Sequence, residues 1–220
     1  MKKPRTRLHA PQGWKRWLVL AAWPPELAEL RRPPSSPRRN VIARAVGVGL
    51  VEAAIGATEA IAEEKPDAVI FVGTAGSYPG RRPDLAQAGV VATRRLVLFA
   101  DSVAAGDAYL PPALPTEQQT TPALRRRAVS AGLLIADVAC PLSITSRVAL
   151  SRRIARTADC DVENLEAFAV ARAAAGLPFV AILGISNTVG PSAHAEWKRN
   201  AAAAAAAACR AALLVIELQL

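Results

Sequence analysis

Five short segments of the 220-residue chain carry side chains or backbone able to do chemistry: Glu26, Gly47-Val48-Gly49, Gly73-Thr74-Ala75-Gly76-Ser77, Asp161-Val162-Glu163 and Ser186-Asn187. A carboxylate can serve as a general acid, as a general base or as an acceptor for hydroxyl groups. The asparagine amide offers two donors and one acceptor. Glycine-rich turns let a ligand approach the backbone closely. Each segment also has a plainer reading. The Gly-Val-Gly turn could serve tight packing, Asp161 or Glu163 could serve a helix N-terminus, and Asn187 could cap a strand end.

The elements that would position these groups follow from hydrophobic runs. Residues 17–23 form a continuous apolar stretch, the pattern of a buried strand, and Pro24 and Pro25 end it ahead of a short helix carrying Glu26. A second apolar stretch, 41–48, leads into the Gly-Val-Gly turn and an Ala-rich helix over 50–64. A third strand is expected over 68–72, stopping at Gly73. Strand, helix and strand within roughly thirty residues make a βαβ unit, so part of the sheet is parallel. Further strands are expected over 89–99, 133–138 and 178–183, with helices over 161–175 and 192–214. The fold class is α/β, a single domain with a mixed central β-sheet flanked by helices. In parallel sheets ligands gather at the carboxyl ends of strands, where four of the five segments fall, while the fifth, from Asp161, opens a helix with carboxylates.

Composition removes several function classes. The net charge is +9, but the basic residues sit at Lys2, Lys3, Arg5 and Arg7, around Pro33-Pro34, and at Arg125, Arg126 and Arg127. These are dispersed or loop positions, with no helix-turn-helix or zinc spacing, so no specific nucleic-acid partner is expected. Cys140, Cys160 and Cys209 show no metal spacing with the two histidines and read as buried free thiols. No metal or cofactor is expected. No unbroken apolar run reaches the roughly 18 to 20 residues of a membrane span, and a cytoplasmic protein is the default reading. The domain is expected over 16–220, behind a basic tail at 1–15.

Together and in this order, the segments resemble the nucleoside phosphorylase/nucleosidase superfamily of purine nucleoside phosphorylases and methylthioadenosine nucleosidases. The stretches are AAWPPEL, VGVGLVEAA, VGTAGSYPG, DVENLEAFAVARAAAGLPF and ILGISNTVG. The last resembles the Ser-Asp or Ser-Asn strand end of that superfamily. With the glycine turn and Trp197, it is most similar to the futalosine hydrolases, menaquinone-pathway nucleosidases whose substrate carries hypoxanthine. The resemblance covers roughly residues 16–215.

The resemblance implies a hydrolase that cleaves an N-ribosidic bond through an oxocarbenium-like sugar. It makes Glu26 the general base that activates water. Glu163 becomes the acceptor for the sugar 2′- and 3′-hydroxyls, and Asn187 the donor to purine N7. Gly49, Thr74, Ala75, Gly76, Val162 and Ser186 are expected around the substrate. Val162 replaces the usual Met beside the glutamate. Asparagine in place of the aspartate of adenine-specific enzymes favours a 6-oxopurine, since an amide can donate to both N7 and a 6-oxo oxygen.

A carboxylate at position 26 suits water better than phosphate, and Gln87-Ala88-Gly89 supplies no arginine. Arg94 and Arg95 keep a phosphorylase open as the alternative. An adenine-specific nucleosidase and a non-catalytic nucleoside-binding relative are the other readings. The base-stacking aromatic expected near 143–146 is not evident, and His194 and Trp197 stay outside the catalytic set. Family members assemble as dimers or larger, so a homo-oligomer is expected.

Overall fold

The structure is a computed structural model that describes residues 13–31, 40–82, 84–85 and 89–218. The basic tail up to residue 12, the Arg32 to Arg39 stretch, and Gln87 and Ala88 lie outside the described residues. Trp14 is already part of the domain, packing edge-on against Trp17 at 5.4 Å between ring centroids.

The apolar run from Trp17 gives strand β1 (Trp17–Ala21), and the two prolines turn the chain into a 3-10 turn (Pro24–Leu27) followed by α1 (Ala28–Arg31). Strand β2 (Val41–Ala45), helix α2 (Leu50–Glu64) and strand β3 (Ala68–Ser77) form the βαβ unit, with β2 and β3 both pairing parallel to β1. The chain continues through β4 (Val90–Phe99), α3 (Asp101–Ala105), β5 (Glu117–Gln119), α4 (Pro122–Ser130), β6 (Leu134–Pro141) and α5 (Val148–Thr157). It ends with β7 (Val162–Glu163), α6 (Ala167–Ala173), β8 (Phe179–Thr188) and α7 (Ala193–Glu217).

The strands form one eight-stranded mixed sheet in the order β2-β1-β3-β7-β6-β4-β5, with β8 pairing both β3 and β4. As a result β3, β8, β4, β6 and β7 close into a circuit. The two-residue strand β7 completes it by pairing antiparallel to Gly76 and Ser77 and parallel to Val138 and Ala139.

This closure explains two departures from the sequence reading. Strand β3 does not stop at Gly73 but runs to Ser77, because β8 pairs with it from Val69 onward and β7 takes over its other edge at Gly76. Backbone pairing on both sides outweighs the poor strand propensity of glycine. Residues 161–175 are not one helix either. Glu163 lies on β7, and the helix begins only at Ala167. The start signal belongs to Asn164, whose Oδ1 accepts the N–H groups of Glu166 at 3.0 Å and Ala167 at 2.8 Å.

Helix α7 is long and apolar enough to cross a membrane by length and composition, with a mean hydropathy of 1.4 over its best window. It nonetheless packs against β8, burying Ala204, Ala205, Ala208, Cys209, Ala211 and Ala212. The alanine tract allows an unusually close approach. A Cβ built at Gly184 of β8 would lie 2.1 Å from the carbonyl oxygen of Ala204. Gly184→Ala is therefore expected to lower the unfolding free energy by about 1–3 kcal/mol or more, as overpacking of backbone does. Urea denaturation measures this, and an unchanged midpoint would mean that α7 does not rest on β8.

Candidate active site

The ends of β1, β3, β7 and β8 and the start of α7 surround a cavity of about 370 Å³. Glu26, Glu163 and Asn187, far apart in sequence, all line it, together with Thr74, Ala75 and Gly76. The remaining expected residues lie behind the wall. Gly49 donates its N–H to Glu166 at 2.9 Å. Ser186 donates its hydroxyl to Asn187 Oδ1 at 2.8 Å. Val162 is fully buried in the apolar core, where strand alternation sends its side chain away from the face that Glu163 presents. It is not a cavity residue.

Glu26 sits in the turn after β1, and its Oε2 accepts the N–H of Trp23 at 3.2 Å. Its own carbonyl accepts the thiol of Cys209 on α7 at 3.0 Å, fixing the turn. Burial pushes its carboxyl up to about 7, and the negative charge of Glu166 adds to the rise. Gly73 lies beside the side chain, where a Cβ would be in ordinary contact with Glu26 Oε1 at 3.4 Å.

Glu166 is the residue the sequence reading missed. It lines the cavity three positions after Glu163, and its Oε2 accepts from Asn164 Nδ2 at 3.2 Å while Oε1 takes the Gly49 N–H. Burial raises its carboxyl as well. A signal was present in the sequence. Leu165-Glu166 is an apolar residue and a glutamate followed directly by Ala167, whereas Val162-Glu163 is followed by Asn164 and Leu165.

Glu163 holds a different set of partners. Its Oε2 accepts the hydroxyl of Tyr78 at 2.9 Å and its Oε1 accepts the N–H of Thr145 at 3.0 Å. Burial raises its carboxyl, and these donors oppose the rise.

Asn187 is aimed by an irregularity in the sheet. Ala75 pairs with Ile185 but Gly76 pairs with Asn187, so Ser186 is an extra, unpaired residue. Bulges of this kind re-aim side chains beside functional sites. Because the Ser186 hydroxyl occupies Oδ1, the amide presents its NH₂ as donor. Among the described residues that group makes one hydrogen bond, a long one of 3.3 Å to the Thr188 carbonyl. Gly76 makes the placement possible, since a Cβ there would be 2.7 Å from Asn187 Nδ2.

The start of α7 contributes the aromatic wall. Trp197 donates its indole N–H to Thr74 Oγ1 at 3.2 Å, and His194 stacks on it with ring centroids 5.9 Å apart. At 143–146, where a base-stacking aromatic was expected, the aliphatic Ile144 lines the cavity instead.

A sequence profile of the phosphorylase superfamily matches residues 36–218. This chain is a member of the phosphorylase superfamily. Its fold matches solved nucleosidase structures over nearly their whole length. The futalosine hydrolase of Helicobacter pylori superposes with a TM-score of 0.82 at 16% identity, covering 92% of this chain and 97% of that one. The 5′-methylthioadenosine/S-adenosylhomocysteine nucleosidase of Helicobacter pylori gives 0.81 at 17% identity over 94% and 100%. The corresponding nucleosidase of Neisseria meningitidis gives 0.78 at 21% over 92% and 99%. No curated protein sequence matches the chain.

The two arginines considered for phosphate in this superfamily member are otherwise engaged. Arg94 binds Asp137 through two bonds of 2.9 and 2.6 Å. Arg95 binds Glu117 at 3.1 Å and the carbonyls of Ala158 and Asp159 at 2.9 and 2.7 Å. Neither lines the cavity, and among the described residues no lysine or arginine does.

The Glu26–Glu166 pairing is testable. Glu166→Gln removes a negative neighbour, so the midpoint of Glu26, near 7 in the parent protein, is expected to move to lower pH. Carboxyl-carbon NMR of glutamate-labelled protein reads this directly, and an unmoved midpoint would separate the two groups.

Proposed function

We propose that this protein hydrolyses the N-ribosidic bond of a 6-oxopurine nucleoside, with futalosine as the substrate and hypoxanthine as the released base. The observation that carries the reading is the convergence of Glu26, Glu166 and Asn187 on one cavity. Glu26, with a carboxyl near 7, is matched to removing a proton from water at neutral pH. The water oxygen bonds to C1′ as the bond from C1′ to the purine nitrogen breaks, and the electron pair leaves with the base. The Asn187 N–H donates to N7 and stabilises that developing negative charge.

The sugar carboxylate is better assigned to Glu166 than to Glu163. Glu166 lines the same cavity as Glu26, and its charge adds to the rise of the Glu26 carboxyl, which supports a place for it beside the water-activating group. There it accepts from ribose hydroxyls and stabilises the oxocarbenium character of C1′. Among the described residues three carboxylates and no lysine or arginine line the cavity, which disfavours a phosphate dianion, suits a neutral nucleophile and supports hydrolysis over phosphorolysis. The Ser186 bond to Asn187 Oδ1 supports the 6-oxopurine, because an amide fixed as donor meets an oxo oxygen well and a 6-amino group poorly.

The purified protein is expected to release hypoxanthine from futalosine or inosine without added phosphate. Strict dependence on phosphate would overturn the hydrolytic reading. Glu26→Gln and Glu166→Gln are each expected to lower kcat at least about a hundredfold, the scale of a lost base or charge stabiliser. Glu26 must be ionised to act, so kcat/KM should fall about tenfold per unit as pH drops below the group's value near 7. Asn187→Asp is expected to shift preference toward adenine nucleosides, and an unchanged ratio of inosine to adenosine turnover would count against the amide's role.

A further inference from the structure

We propose that Glu163 is a positioning residue: its carboxylate, held between Tyr78 and Thr145, fastens the 142–147 segment across the base end of the cavity. The proposal rests on the cavity being a nucleoside site, and it assigns Glu163 a task that the cleavage chemistry does not use.

The 142–147 segment joins β6 to α5 and is exposed at every position except Thr145. Leu142 is 77% exposed and Ile144 60%, against 2% for Thr145. Thr145 is thus the single buried anchor of an otherwise solvated strap, and its neighbour Ile144 lines the cavity. The anchor bond is the Thr145 N–H to Glu163 Oε1 at 3.0 Å, and the Thr145 hydroxyl also favours the ionised carboxylate. On the opposite side Tyr78, itself buried, donates to Oε2 at 2.9 Å and is fixed by its backbone bond to Asp161. Both partners are donors, a pair that an ionised, acceptor-only carboxylate satisfies in full.

The position of the clamp along the sheet says which end of the ligand it serves. Glu163 pairs with Gly76, and Gly76 pairs with Asn187 on its other side. Glu163 therefore stands level with the amide that meets the leaving base, whereas Glu166 stands with Glu26. Through Thr145, Glu163 sets how closely Ile144 closes on the base.

The test combines a readout that needs no ligand with one that does. In Glu163→Ala, amide hydrogen exchange across 142–147 is expected to quicken about tenfold or more, while β3 and β8 keep their parent protection. With inosine, KM should rise about tenfold and kcat fall less than about fivefold, in contrast to the collapse of kcat in Glu166→Gln. Glu163→Gln, whose amide oxygen can still accept from Thr145, should recover most of both effects. Tyr78→Phe, which keeps the ring and removes one donor, should show a weaker loosening of the same segment. Unchanged exchange across 142–147 in Glu163→Ala and Tyr78→Phe would overturn the clamp. A hundredfold loss of kcat at constant KM in Glu163→Gln would also overturn it, returning Glu163 to the sugar. If the parent protein cleaves no nucleoside while Glu163→Ala still loosens the segment, the nucleoside reading falls and the clamp stands.

Discussion

The site depends on a position that has no side chain. Gly76 lies in a lateral row between Glu163 on β7 and Asn187 on β8, and residues paired across a sheet project to the same face. Adjacent strands lie about 4.8 Å apart, so the backbones of the two polar residues stand roughly 10 Å apart, with the Asn187 amide reaching over Gly76. A methyl group at position 76 would collide with both Asn187 and Val189. The bulge at Ser186 completes the arrangement by bringing Asn187, rather than Ser186, opposite the glycine.

The same row requires the closed circuit of strands. Only because β7 bridges β3 and β6 does a glutamate stand beside Gly76, and β7 is just two residues long. Its pairing comes with buried carboxylates, which are costly unless hydrogen-bonded. Glu163 and Glu166 each receive donors on both oxygens, from Tyr78 and Thr145 in one case and from Asn164 and Gly49 in the other. Glu26 is held chiefly by the Trp23 N–H and lies next to Glu166, and its carboxyl rises to about 7. Tertiary structure thus gives three chemically identical groups different surroundings, the general way in which one residue type can supply both a base and fixed charges.

Much of this was legible along the chain, and particular residues show where legibility ended. The apolar run of β1, the helix after Gly49 and the strand leading to Asn187 were readable because local pattern and tertiary role agree. The span between Phe99 and Leu133 was not. Its elements, α3, β5 and α4, are short and at most partly apolar, and they are held by tertiary contacts: β5 by pairing with β4, α4 by packing on β4, β6 and β8, and α3 by packing on α5. Residues 161–175 misled for the opposite reason. Their alanines and carboxylates favour a helix locally, but Val162 and Glu163 gain more by pairing with β3 and β6.

The sequence alone determined the residue types available for chemistry, the α/β class and the order of the principal strands, because hydrophobic period and glycine placement are local properties of the chain. It did not determine which glutamate faces which partner. Glu163 and Glu166 are three positions apart and chemically the same, and their difference arises from a strand pairing and from the start of a helix. Those depend on contacts with Gly76, Thr145 and Gly49, between 18 and 117 residues away. Such contacts exist only once the sheet has closed, so only the tertiary structure could distinguish the two carboxylates.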